Sequence, residues 1–414
     1  MFPKKIFKYF IFILAILYSL NNYFFERQFY FNEILSLVGV MLFGVHLIRK
    51  KSVLVIPNSN IFKLLLLFWL LCFFHLIVCT FTKTNWYFYL RSSVTFYSSA
   101  IFFIGFYWKE DFTIFFKKIK IIFTIGVLAL IPTPNPGYLG RYLDRYSVSV
   151  FFSFFFKRNS FLISIVILLL NFLYAYFYQS LTATLIGILL FIIVNIPKYN
   201  HFRLLFISGL IAFISFFTYL TPYFPLYKEG ATGHYLFGNV NHVYQQNRIL
   251  RIDPNSSWRM VFWYRIVVEG FPKNMIGIGL GTPILPYEKG ADTAEGNYDD
   301  EHDAHTIGAH NTFITIFVRL GIGFLVILCS FYTIILKEFY RYKQYYQSNN
   351  DIVFFIGFFT ISIIGLFNPL LETPTYAGVY WFFLGLVAKS IFQRRNKVPV
   401  LHTKITTNEN TPYS

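Results

Sequence analysis

A chain of 414 residues that is 56% hydrophobic, 22% aromatic and only 13% charged carries more apolar surface than a soluble fold can hide, so an ordinary soluble domain is excluded. The formal net charge of +17 would suggest nucleic acid for a soluble protein. In a chain this apolar it reads as Lys and Arg held on one side of a bilayer, and no nucleic-acid partner is expected. Cys72, Cys79 and Cys329 all lie in apolar runs, which excludes a disulfide framework and a cysteine-based zinc site.

Lys4-Lys5 precede an apolar run with no small-residue cleavage site after it, so this first segment is expected to remain as a membrane helix. A span needs about 20 apolar residues. On that measure the candidates are 6–20, 31–48, 61–80, 88–108, 113–132, 144–156, 160–178, 181–197, 203–220, 306–336, 352–371 and 375–392. Alternate connections are basic: Lys4, Lys5 and Lys8; Arg49-Lys50-Lys51; Lys109 with Lys117-Lys118; Lys157-Arg158; Lys198 with Arg203; Lys337, Arg341 and Lys343; Arg394-Arg395 with Lys397. That alternation predicts both termini in the cytoplasm.

The expected fold is an all-α polytopic integral membrane protein with about 12 transmembrane helices and one long, partly helical extracytoplasmic loop. Residues 1–220 form an N-terminal bundle of about nine spans, 221–305 the outer loop, and 306–392 about three further spans. The polar stretch 393–414 is expected to be a disordered cytoplasmic tail. No internal repeat of fixed period is visible, so neither a solenoid nor a repeat-built transporter is suggested.

One outer segment is distinctive before the long loop. Pro132-Thr133-Pro134-Asn135-Pro136-Gly137 cannot be helix interior and leads into Arg141 and Arg145. In the loop itself, Ser256-Ser257 supply hydroxyl caps for a helix beginning Trp258-Arg259. Arg259 falls in its first turn and Arg265 further along. Apolar residues at 258, 261, 262 and 266 share one face, so this helix is expected to pack on the membrane bundle. Gly277, Gly279 and Gly281 allow a tight turn with close backbone approach, but their spacing is not a dinucleotide fingerprint. The acidic cluster Asp292, Asp299, Asp300, Glu301, His302, Asp303 and His305 matches no derivable cation loop and reads as solvated. The chain re-enters apolar sequence at His310-Asn311-Thr312-Phe313, where Asn311 either caps the next helix or orients the histidine. Arg91 and Arg319 stand within apolar runs, where a charge is costly and is expected to face the bundle interior.

The ordered set Ser257-Trp258-Arg259, Gly277-Ile278-Gly279-Leu280-Gly281, His310-Asn311-Thr312-Phe313 and Leu320-Gly321-Ile322-Gly323 resembles the shared domain of the O-antigen ligase and polymerase family over roughly residues 160–335. The resemblance implies a glycosyltransferase of the bacterial cytoplasmic membrane. Its donor would be a polyprenyl-diphosphate-linked glycan and its acceptor a glycan or lipid core, with membrane lipid as surroundings and neither metal nor cofactor. It assigns catalytic roles to His310 and Arg259, and makes Asn311, Arg265, Arg141 and Arg145 candidate substrate-binding residues. The family usually places a further arginine after a Ser on an earlier outer loop, whereas here Ser180 is followed by Leu181-Thr182-Ala183.

The chemistry suits these residue types. Cleaving a glycosyl–diphosphate bond leaves negative charge that guanidinium groups stabilise bidentately. An attacking hydroxyl must lose a proton, and a histidine near neutral pKa takes it. The rival class is a transporter or flippase of the same lipid-linked glycan. It would concentrate ionisable residues at mid-bilayer, whereas this chain puts its polar density in one outer loop.

Overall fold

The computed structural model describes residues 59–82, 89–108 except Arg91, 181–220, 275–280, 311–348, and 351–407 except Pro369 and Thr373, together with a few single positions including Trp263. Among the described residues the regular structure is helical, with no strand. In chain order the elements are α1 (Asn60–Thr82), then α2 (Val94–Tyr97), which passes through a 3-10 turn at Ser98–Ala100 into α3 (Ile101–Phe106). There follow α4 (Leu181–Asn195), α5 (Tyr199–Leu220), α6 (Thr312–Leu320), α7 (Ile322–Arg341), α8 (Lys343–Ser348), α9 (Ile352–Gly365) and α10 (Pro374–Thr407). These correspond to the apolar runs expected from 61, 88, 181, 203, 306, 352 and 375 onward. The other expected spans lie outside the described residues.

Two helices, Asn60–Phe81 within α1 and the whole of α7, are long and apolar enough to cross a membrane. One side of α1 is apolar and uncovered: Leu66, Leu70, Phe73, Phe74 and Phe81 are all more than half exposed. A contiguous apolar face of this kind marks lipid or protein contact rather than water.

The core is built around α10. Trp381 is fully buried, with its ring 5.1 Å from Phe68 of α1 and 6.4 Å from Phe331 of α7. Tyr380 turns the other way, to Phe358 of α9 at 5.4 Å. The kink between α2 and α3 has a local cause. Ser98 and Ser99 each donate a hydroxyl to a carbonyl of the preceding turn, at Val94 and Phe96, which favours a tight 3-10 segment. Ser99 Oγ also accepts the Trp69 indole N–H at 2.8 Å, tying the kink to α1.

The run expected as one span over 306–336 is broken. Gly321 adopts φ 82°, a conformation that favours glycine, and ends α6 as the C-cap while starting α7. The short α6 folds back beside α7, with Phe313 5.5 Å from Tyr332. The start of α6 is therefore level with the third turn of α7, recessed from the α7 start by about 15 Å at 1.5 Å per residue. Because α9 has only 14 residues, about 21 Å, the turn after it is recessed too and meets the α6 start.

At the opposite end of α7, α10 continues past Phe392 to Thr407 instead of stopping where an unstructured tail was expected. A buried carboxylate anchors it there. Glu338 accepts from Arg394 Nε at 2.7 Å and from the Tyr346 hydroxyl at 3.1 Å, and Arg394 lies 3.5 Å above the Tyr342 ring. Burial works against the Arg394 charge, but Glu338 outweighs it and holds the guanidinium pKa above its ordinary value. The same carboxylate adds to burial in pushing the Tyr346 hydroxyl up. Tyr340 and Lys343 donate to the Ile193 and Val194 carbonyls at the end of α4, closing carbonyls that a helix terminus leaves open. Glu338→Ala strands a buried guanidinium and should cost about 3–5 kcal/mol, whereas replacing Glu338 and Arg394 together with leucines should recover most of that. Thermal unfolding in detergent reads both effects. A single variant that unfolds at the wild-type temperature would show that this pair does not anchor α10.

Candidate functional site

The start of α6 is held by a group of side-chain hydrogen bonds, and Asn311 organises it. Its Oδ1 accepts from the Phe313 and Ile314 N–H groups at 2.9 and 3.1 Å, as expected of an N-cap. Its Nδ2 donates to the Leu366 carbonyl at 2.9 Å, so the cap also ties α6 to the turn after α9. Thr312 adds a second tie, donating to the Asn368 carbonyl at 3.0 Å and accepting from the Leu370 N–H at 2.8 Å. Of the two readings of Asn311, capping is what these bonds describe.

One helical face of α6 continues from this anchor through Thr315 to Arg319. Arg319 is 5% exposed and its Nε lies 3.2 Å from Glu372 Oε1. A guanidinium in an apolar helix faces inward to a carboxylate, as the cost of burying charge requires. Thr95 reaches the same turn from α2 and donates to the Leu371 carbonyl at 3.0 Å. Thr95, Leu280, Thr312, Thr315, Arg319 and Glu372 surround a void of about 10 Å³, the space of a single water.

The glycine segment packs on the other end of α6. Gly277 and Gly279 have φ 95° and 88°, and the Ile278 and Gly279 N–H groups donate to the Val318 and Arg319 carbonyls at 2.8 and 2.9 Å. The Leu280 N–H donates to Cys79 Sγ at 3.1 Å. A Cβ at 277 would sit 2.6 Å from the Arg319 oxygen, and one at 279 would sit 2.8 Å from Cys79 Sγ. The expected close backbone approach is therefore between α6, α1 and this turn. The three successive amides are spent on the protein itself and do not cradle a phosphate.

Trp263 completes the assembly. It packs with Ile278 and Ile314 on a small apolar cluster centred on Phe317 and Val318. Arg259, Arg265, Arg141, Arg145, His310 and Arg91 lie outside the described residues, as does the acidic segment 299–305. Among the described residues no group of three His, Cys, Asp or Glu side chains could hold a metal ion. Sequence reading missed Glu372 and Thr95. Glu372 left a signal, a lone carboxylate between Pro369 and Pro374 that matches the lone guanidinium at Arg319. Thr95 left none.

Comparison with family models, curated proteins and solved structures returns no match to this chain.

Proposed function

We propose that the chain is a glycosyltransferase of the bacterial cytoplasmic membrane that transfers or polymerises polyprenyl-diphosphate-linked glycan on the outer face. The observation that supports this reading is the convergence at α6. Ile278 of the glycine motif shares one apolar cluster with Phe317 and Ile314 of the helix that follows the His-Asn motif, and Trp263, a few residues after Ser257-Trp258-Arg259, packs on the same cluster.

In this reading an acceptor hydroxyl oxygen attacks the anomeric carbon of the donor sugar. Its proton passes to the His310 imidazole. The bond from the anomeric carbon to the diphosphate oxygen breaks, and the electron pair leaves on the polyprenyl diphosphate. Arg259 stabilises that charge bidentately, with Arg265, Arg141 or Arg145 as the second guanidinium. Asn311 is a positioning residue, because its oxygen is committed to capping α6 one peptide bond after His310.

The decisive experiment is the surface glycan of a deletion strain resolved on a gel. Loss of all but one repeat unit indicates a polymerase. A bare core with stranded lipid-linked polymer indicates a ligase. Lipid-linked units confined to the cytoplasmic leaflet would overturn the enzyme and point to a flippase. The purified enzyme should keep its transfer activity in a chelator such as EDTA. Inhibition that one added divalent cation reverses would assign the acidic segment a metal.

A further inference from the structure

A groove of about 430 Å³ runs between the start of α1 and the middle of α7, lined by Asn60, Lys63, Leu64, Ser330, Thr333 and Ile334. Its composition is unusual for a lipid-facing surface. Leu64 and Ile334 provide an apolar floor, and Lys63 presents an exposed cation. Lys337 stands one turn beyond Thr333 on the same face of α7 and is also exposed. Among the described residues no carboxylate pairs with either lysine.

The hydroxyls sharpen the chemistry. Ser330 and Thr333 already donate their protons to the Val326 and Cys329 carbonyls at 2.7 and 2.9 Å. What they offer the groove is therefore oxygen lone pairs, which need a donor from the occupant. An occupant that satisfies every group carries an anionic phosphate for the two lysines, hydroxyls to donate to Ser330 and Thr333, and an apolar tail for Leu64 and the exposed face of α1.

We infer that the α1/α7 groove binds an anionic phospholipid with a hydroxylated headgroup, of the phosphatidylglycerol class. Lys63 and Lys337 take the phosphate, Asn60 and the two hydroxyl oxygens take the headgroup, and an acyl chain lies along Leu66 and Leu70. The site rests on the reading that the chain is membrane-embedded and is independent of the glycan chemistry.

The test uses the full chain purified in neutral detergent, with the unfolding midpoint followed as lipid is added. Phosphatidylglycerol should raise the midpoint saturably and phosphatidylcholine should not. Each lysine should contribute roughly fivefold to the apparent affinity, from about 1 kcal/mol per cation near an anionic headgroup. The double variant Lys63→Gln/Lys337→Gln should therefore bind roughly 25-fold more weakly, whereas Arg203→Gln, an exposed cation on α5, should match wild type. A second measurement does not depend on how the variants fold. A photoreactive phosphatidylglycerol on wild-type protein should label peptides holding Lys63 or Thr333. Equal response to both lipids, the same shift from inorganic phosphate alone, full binding by the double variant, or labelling confined elsewhere would each overturn the assignment. None of these readouts involves glycan transfer, so they stand apart from the test of the proposed function.

Discussion

His310→Ala should leave cells without surface polymer while the protein reaches the membrane at its wild-type level, and Arg259→Ala should do the same. Removing a positioned general base costs about 10²–10⁴-fold in rate. Removing a donor aimed at developing charge costs about 10²–10³-fold. Either loss is enough to empty a gel lane. The folding side of the prediction follows from the bonds around α6. The helix is capped by Asn311 and tied by Thr312 to Asn368 and Leu370, and none of those contacts uses the imidazole. Asn311→Ala is the informative contrast. It frees the Phe313 and Ile314 N–H groups and should cost about 1 kcal/mol of stability, lowering the unfolding midpoint, which His310→Ala should not do. Arg259→Lys adds a second discrimination. It keeps the charge but not the planar fork, and at a bidentate site that exchange is not conservative, so polymer should stay well below wild type. Near-normal glycan from both alanine variants would end the catalytic assignment.

Much of the helical architecture was legible because apolar runs are long and their ends are marked. Asn60–Thr82 and Leu181–Asn195 fall within a few residues of the runs that begin at 61 and 181. Three features were not legible, and each has a physical reason. The break at Gly321 lies inside an unbroken apolar run, and hydropathy does not see backbone conformation. Only the φ of 82° and the fit against the Ile276 oxygen, 2.5 Å from where a Cβ would sit, show that the run is two helices. The continuation of α10 beyond Phe392 depends on Glu338, a residue 56 positions before Arg394, and composition alone makes that stretch look like a solvated tail. The third is the use of the glycine segment. Its spacing predicts close backbone approach, but not that the approaching partners are the carbonyls of Val318 and Arg319. Arg319 itself was flagged by its cost in an apolar run, and its partner Glu372 could have been paired with it on the same reasoning.

Gly385→Leu should abolish the folded protein. Gly385 of α10 and Gly105 of α3 face each other where the two helices cross. A Cβ at 385 would meet the Phe102 carbonyl oxygen, and would lie 2.8 Å from the Phe106 nitrogen and 3.1 Å from the Gly105 carbon. A Cβ at 105 would meet the Phe382 carbonyl oxygen in return. All of these are backbone atoms, so no rotamer change makes room and the helices must separate. Small residues at such crossings let backbones approach where the hydrophobic effect supplies no drive between helices. Separation would open the cluster in which Phe62 meets Phe102 at 5.4 Å and Phe106 at 4.9 Å, loosening α1 as well. Overpacking ordinarily costs about 1–3 kcal/mol, and a backbone collision that unseats two helices belongs with the exceptional losses above about 4 kcal/mol. Gly378→Ala supplies the control. It lies seven positions earlier on α10, and its added Cβ would meet only the Ile101 Cδ1, at 3.1 Å, a side-chain end that can rotate away. In detergent, Gly385→Leu should elute as aggregate with no cooperative unfolding transition, Gly385→Ala should unfold well below wild type, and Gly378→Ala should stay close to it. A monodisperse Gly385→Leu protein with a wild-type midpoint would mean that α3 and α10 do not cross at these two glycines.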